Sequence, residues 1–208
     1  MNAESRVYAL LLAAGESTRM GQPKPLLPWQ GQTLIEFEVE QLLKAGAERV
    51  IVVLGHEKDR VAPLVQGKPG VDVVLNPDYR SGRASSVRAG AKLVPLEADS
   101  LLILNVDQPR PIHIMKRLLE EHKAAGALIT VPRYRGRRGH PAIFSARLLP
   151  ELTAVSEEGQ GLREVMACHA GAVHEVEVDS EIVLLDLNTP EEYERAKQQW
   201  AEVGGAEA

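Results

Sequence analysis

Five short aliphatic runs, at residues 7–12, 50–54, 71–75, 101–104 and 127–131, constrain the fold of this chain more than any other feature. Each is apolar almost throughout rather than at alternate positions. A strand of that kind has both faces covered, and this is the pattern of a parallel sheet sandwiched between helices. Helix-like stretches lie between the runs. Residues 33–45 carry Leu34, Phe37, Leu42 and Leu43 on one side, and Gly46 can end that helix. Residues 85–94 and 111–125 follow, the latter with Ile114, Leu118 and His122 four apart. The alternation predicts an α/β fold: a single-domain, doubly wound, three-layer α/β/α sandwich with a mostly parallel sheet.

The pattern changes after Pro132. Residues 133–139 are polar, basic and glycine-containing, and read as a loop. Residues 141–144 read as a short strand and 161–169 as a helix. Residues 173–178 alternate and 182–187 are apolar. Pro190 then opens an acidic helix toward Trp200, with Thr189 as its N-terminal cap. Residues 204–208 are expected to fray. The 208 residues suit one domain, and no repeat or linker divides them.

Composition narrows the partners. The net charge of -5 argues against a nucleic-acid or anionic-membrane partner, since either favours a basic face. Cys168 is the single cysteine, so no intrachain disulfide or cysteine-pair metal site is available. No signal-peptide pattern opens the sequence, and no apolar run approaches the ~20 residues of a membrane span. The expectation is a cytoplasmic protein.

The segment Leu12-Ala13-Ala14-Gly15-Glu16-Ser17-Thr18-Arg19-Met20-Gly21-Gln22-Pro23-Lys24 follows the first strand directly. Ligands of open α/β sheets sit beyond the carboxyl ends of strands. Ala13, Ala14 and Gly15 let a ligand approach the backbone, and Gly15 and Gly21 permit turns that larger residues resist. The amides there can donate to phosphate oxygens, and Arg19 and Lys24 add two cations. The plainer alternative is a strand-to-helix connection with exposed charges. Gln22 after Gly21 departs from a Walker A loop, and the spacing departs from the dinucleotide-binding fingerprint.

These residues resemble the signature loop of the MobA/MocA-like nucleotidyltransferases, in Leu12-Ala13-Ala14-Gly15, Ser17, Arg19-Met20-Gly21 and Lys24. Further motifs follow in the family's order. They are Val53-Leu54-Gly55-His56; Asn76-Pro77-Asp78-Tyr79 with Gly82, Ser85-Ser86 and Gly90; Asp107-Gln108-Pro109; Arg138-Gly139-His140-Pro141; and Asp186-Leu187-Asn188-Thr189-Pro190. The resemblance implies a GT-A-like fold with a nucleotide-binding half near residues 6–110 and an acceptor-binding half near 111–200. It implies a nucleotide site of Leu12, Ala13, Ala14, Gly15, Gly21, Lys24, Gly55, Asn76, Gly82, Ser85 and Ser86. Lys24, Arg19 and Asp107 are the implied catalytic residues, and Arg138 and His140 the implied acceptor-binding ones.

Mg2+ is the implied cofactor, with Asp107, Asp186 and Asn188 as its candidate ligands, since magnesium prefers oxygen donors. Many members carry Asp-x-Asp-Thr-Pro where this chain has Asn188. Each candidate also has a structural alternative. Asp107, Asp186 and Asn188 could cap the helices that follow them. Gly82 to Ser86 could bind ribose or base, or only start a helix. Arg133, Arg135, Arg137 and Arg138 could collect a phosphate or form a solvated loop, and His140 could be structural.

The implied reaction is attack by an acceptor phosphate oxygen on the α-phosphorus of an NTP. Leu12-Ala13-Ala14-Gly15 is similar to the cytidylyltransferase branch, which points to CTP and molybdopterin as partners, with room for a transient contact with a molybdoenzyme. Two alternatives stand beside it: the same chemistry on a sugar phosphate or other small phosphate, and a non-catalytic nucleotide- or cofactor-binding chaperone.

Overall fold

The computed structural model describes residues 5–204. In chain order the strands are β1 (Val7–Ala13), β2 (Pro28–Trp29), β3 (Gln32–Thr33), β4 (Arg49–Leu54), β5 (Val71–Leu75), β6 (Ser100–Asn105), β7 (Ile129–Tyr134), β8 (Arg137–Arg138), β9 (Ala142–Ser145) and β10 (Val173–Glu177). The α-helices are α1 (Leu34–Ala45), α2 (Lys58–Val65), α3 (Arg83–Ala91), α4 (Ile112–Ala125), α5 (Leu149–Leu152), α6 (Leu162–Cys168) and α7 (Pro190–Gly204). The main sheet runs β10-β7-β9-β6-β1-β4-β5, with β8 hung on β7. Strands β5, β4, β1 and β6 pair in parallel, as the aliphatic runs predict. Strand β9 lies antiparallel to both β6 and β7, so the sheet is mixed but mostly parallel.

Side-chain alternation along the strands builds two cores. Ala9, Leu11, Val50, Val52, Leu102 and Leu104 face α1, α2, α4 and α7. Leu10, Leu12, Ile51, Val53, Leu101 and Ile103 face α3, α5 and α6. Helix α1 is closed at both ends. Thr33 and Glu36 form a capping box, and Gly46 takes the left-handed conformation at the C-terminus. The four-residue period of α4 puts Ile114, Leu118 and His122 on its buried face, where His122 Nδ1 lies 2.8 Å from Thr130 Oγ1.

One region departs from the sequence reading. Residues 133–139 are not a loop: β7 and β8 form a hairpin whose turn is Arg135 at φ 46° and Gly136 at φ 80°. A two-residue hairpin turn of this kind requires positive φ at both central positions, and basic composition hides that requirement. The apolar run 182–187 lies across a 3-10 turn, Glu181–Leu184, and packs Ile182, Val183, Leu185 and Leu187 without strand pairing. At the C-terminus, Thr189 caps α7 through Oγ1, which accepts from the Glu192 amide at 3.2 Å. Tyr193 and Trp200 of α7 pack on Trp29, and the Tyr193 hydroxyl donates to the Pro28 carbonyl. That aromatic cluster anchors the β2–β3 hairpin, which follows Lys24 closely. The expected fraying of 204–208 falls almost wholly outside the described residues. No helix among those described is long and apolar enough to cross a membrane.

Candidate active site

The loop after β1 folds back on itself. Ser17 adopts φ 56°, Met20 is buried as an anchor within the 3-10 turn Thr18–Met20, and Gly21 at φ 71° ends that turn. The Ser17 hydroxyl then accepts from the Lys24 amide at 3.1 Å. This return aims Lys24 at two segments distant in sequence, the turn after β6 and the stretch before α7. Its Nζ donates to Asp107 Oδ2 at 2.6 Å and to Asn188 Oδ1 at 2.9 Å. Arg19 Nη2 donates to the same Asn188 oxygen at 3.1 Å. The Lys24 and Asp107 side chains are only 12% and 18% exposed, so their attraction is less screened than that of a surface pair.

Above this cluster lies a cleft of about 310 Å³. Leu12, Ala13, Ala14 and Gly15 form one wall; Tyr79, Gly82, Arg83 and Ser86 form the other; Arg19, Lys24, Asp107 and Asn188 close the end. Of the sequence-based nucleotide set, Gly21, Gly55, Asn76 and Ser85 stand behind the lining. Gly55 leaves room for Tyr79, which a Cβ there would strike. Asn76 is buried and donates to Ser85 Oγ at 2.8 Å and Ser86 Oγ at 2.9 Å, which fixes the start of α3. Gly82, at φ 115°, brings the chain against Glu157, whose carboxylate accepts from the Ala84 amide. Glu157 therefore caps α3 from across the chain. Nothing local in the sequence signals that contact.

A second cavity of about 630 Å³ adjoins the first and shares Leu12, Arg83 and Asn105 with it. His140, Glu157, Gln160 and Arg163 also line it. Burial drives the His140 pKa down to about 4, and the positive Arg110 adds to this, so the imidazole is neutral near pH 7. It can offer one N–H but no positive charge. Arg138 lies apart, on β8, with its Nε 2.6 Å from Glu175 Oε1, and neither cavity's lining includes it. Asp186 turns from the cleft, its Oδ1 accepting from Gln108 Nε2 at 2.7 Å. Asn105 and Gln108 escaped the sequence reading as functional positions. Their place on either side of Asp107, at and just beyond the tip of β6, was the available signal.

None of Asp107, Asp186 and Asn188 caps a helix with its side chain. Asp107 and Asn188 present oxygens that converge on one cation, the Lys24 ammonium. That donor set suits magnesium, which typically takes one or two protein oxygens and completes its shell with water and substrate phosphates. Among the described residues, no three His, Cys, Asp or Glu side chains converge as a metal site.

A parallel sheet whose first strand ends in this loop, with a lysine returned to a carboxylate on the neighbouring strand tip, is the framework of the nucleotidyltransferase class. The model of the MobA-like NTP transferase domain matches residues 9–176, and the chain belongs to that family. It is 26% identical over 199 residues to the molybdenum cofactor cytidylyltransferase of Escherichia coli, covering 96% of this chain and all of that one. It is 32% identical over 197 residues to a nicotine blue oxidoreductase of Paenarthrobacter nicotinovorans, covering 91% and 95%. A Mycobacterium tuberculosis protein solved in complex with manganese superposes with a TM-score of 0.75 at 26% identity, covering 93% and 99%.

Proposed function

We propose that the protein transfers CMP from CTP, with Mg2+, to the phosphate of molybdopterin or a closely related acceptor, releasing pyrophosphate. The observation that carries this reading is the Lys24 ammonium held between Asp107 and Asn188 at the end of the small-residue cleft. The cytidylyltransferase name of the E. coli relative supports the base and the acceptor. The Ala14 methyl in the cleft wall supports a pyrimidine, since it narrows the space a larger base needs.

The chemistry follows from the side chains. Ala13 to Gly15 give the triphosphate a close backbone approach. An acceptor phosphate oxygen attacks the α-phosphorus, the bond to the bridging oxygen breaks, and pyrophosphate leaves. A phosphate nucleophile is already anionic near neutrality and needs no general base, which agrees with a neutral His140. Arg83 and Arg163 supply the positive charge of the acceptor cavity, and His140 supplies a hydrogen bond. Lys24 and Arg19 stabilise the charge that gathers on the departing pyrophosphate. A divalent cation held by Asp107 and Asn188, with Asp186 behind Gln108, would neutralise phosphate oxygens there. Alignment and charge together carry the rate.

The test is pyrophosphate release by the purified protein with Mg2+, each of the four common NTPs and a panel of acceptors. Release with CTP and molybdopterin alone is expected. Release with a sugar phosphate or another small phosphate reassigns the acceptor, and nucleotide binding without turnover indicates a chaperone.

A further inference from the structure

Beneath the cleft lies a fully buried arginine that the reaction does not touch. Arg110 has no solvent exposure, and four of its contacts are backbone carbonyls. Its Nε donates to His140 at 3.0 Å, Nη1 to Pro109 at 2.8 Å, and Nη2 to Val183 at 3.1 Å and Leu185 at 2.8 Å. Those carbonyls belong to three segments remote in sequence. The first carries Asp107, the second His140, and the third Asp186 and Asn188. Cross-links of the same kind surround it: the His140 amide donates to the Val183 carbonyl at 2.8 Å and the Leu187 amide to the Asp107 carbonyl at 2.8 Å.

We infer that Arg110 is a positioning residue, whose guanidinium sets the three segments bearing Asp107, His140 and Asn188 at the spacing that transfer requires. The inference rests on the transferase reading of the cleft. Burying a guanidinium is expensive unless its donors are met, and here the planar fork meets carbonyls that no helix or sheet ladder satisfies. Lysine could not span them, because an ammonium is one point with three donors. Glu38 of α1 lies within electrostatic reach, fully buried, and its oxygens meet no hydrogen-bond partner among the described residues. Burial lowers the Arg110 pKa to about 10, so the group stays charged at neutrality, and Glu38, Asp186 and Asp107 act in the opposite direction.

The experiment measures kcat and KM for Arg110→Lys and Glu38→Gln beside the parent enzyme. Thermal denaturation and amide hydrogen exchange accompany the kinetics. For Arg110→Lys, kcat falls about 100-fold, the scale of a 1 Å misplacement of reacting groups. KM for the NTP stays within about twofold, because the lysine substitution leaves the Ala13–Gly15 wall intact. Exchange quickens at residues 183–188 while the β1 and β4 amides stay protected. Glu38→Gln keeps kcat near the parent value, since the carbonyl brace survives. Should Arg110→Lys fail to fold, the double variant Glu38→Met with Arg110→Met removes both charges and is judged by the same criteria.

Parent-like kcat in a folded Arg110 variant overturns the inference, as does an equal loss in Glu38→Gln. Failure of both Arg110 variants to fold also overturns it, because the residue would then hold the fold rather than the centre. An inactive parent enzyme overturns the transferase reading instead.

Discussion

The wall proposed for the triphosphate comes from one continuous stretch, Leu12 to Lys24, whereas the adjoining cavity proposed for the acceptor is gathered from the approach to β9, the turn before α6, and Arg83, Ala84 and Val87 of α3. The first wall is set by a parallel strand end, a few small residues and a loop that returns on a Ser17–Lys24 hydrogen bond. The second depends on contacts such as Glu157 on Ala84 and Arg110 on Leu185, across 73 and 75 positions of chain. Local sequence can specify a phosphate cradle, but an acceptor pocket is specified by packing.

Substitutions can break this contrast, and the largest effect belongs to the nucleotide side. Asp107→Ala is expected to lower kcat by about 10³-fold or more with the fold retained, read as pyrophosphate release and circular dichroism. A variant with near-parental turnover would remove Asp107 from the reaction.

The next effect is acid sensitivity, and it belongs to the other half. Burial first, then His174 and Arg147, lowers His122 from its ordinary 6.5 to about 4. Between those values the unfolded chain binds a proton that the native chain does not, so stability is full above pH 6.5 and is lost as pH falls toward 4. The loss is about 3 kcal/mol at most for His122, and His140 adds to it with the same sign. Urea denaturation at pH 7 and pH 4.5 should show it, with His122→Leu shrinking the difference. An unchanged difference would contradict this assignment.

Smaller effects sharpen the boundary between the two sides. Glu157→Ala removes the cap of α3 and should cost about 1 kcal/mol, measured by the same denaturation. Loss of its negative charge should lower KM for an anionic acceptor more than KM for CTP. Arg138→Ala should change stability by less than about 1 kcal/mol, as exposed ion pairs do. A rise of about tenfold in acceptor KM would instead bring Arg138 to the acceptor, as the sequence motif suggests, at about 1.4 kcal/mol.

What the sequence made legible follows the same division. The strands β1, β4, β6 and β7 stand out because burial on both faces leaves continuous aliphatic runs, and the edge strand β5 stands out by its valines although it is only half-buried. Gly46 and Thr189 declare helix ends because capping chemistry is local. Helix α2 went unread because its exposed, charged surface and internal Pro63 blur the helical period. The β7–β8 hairpin was hidden by its arginines. Asp186 was legible as an acidic neighbour of Asn188, but its turn toward Gln108 depends on a side chain 78 residues away. Arg110 looked like any residue after a proline, since nothing in its neighbours announces burial.

The most direct measurement is a crystal structure with a non-hydrolysable CTP analogue and Mn2+, located by anomalous scattering. The triphosphate is expected along the Ala13–Gly15 backbone, with Lys24 on its phosphates and the manganese peak at Asp107 and Asn188. A triphosphate seated in the His140 cavity, or a manganese peak away from both residues, would contradict it.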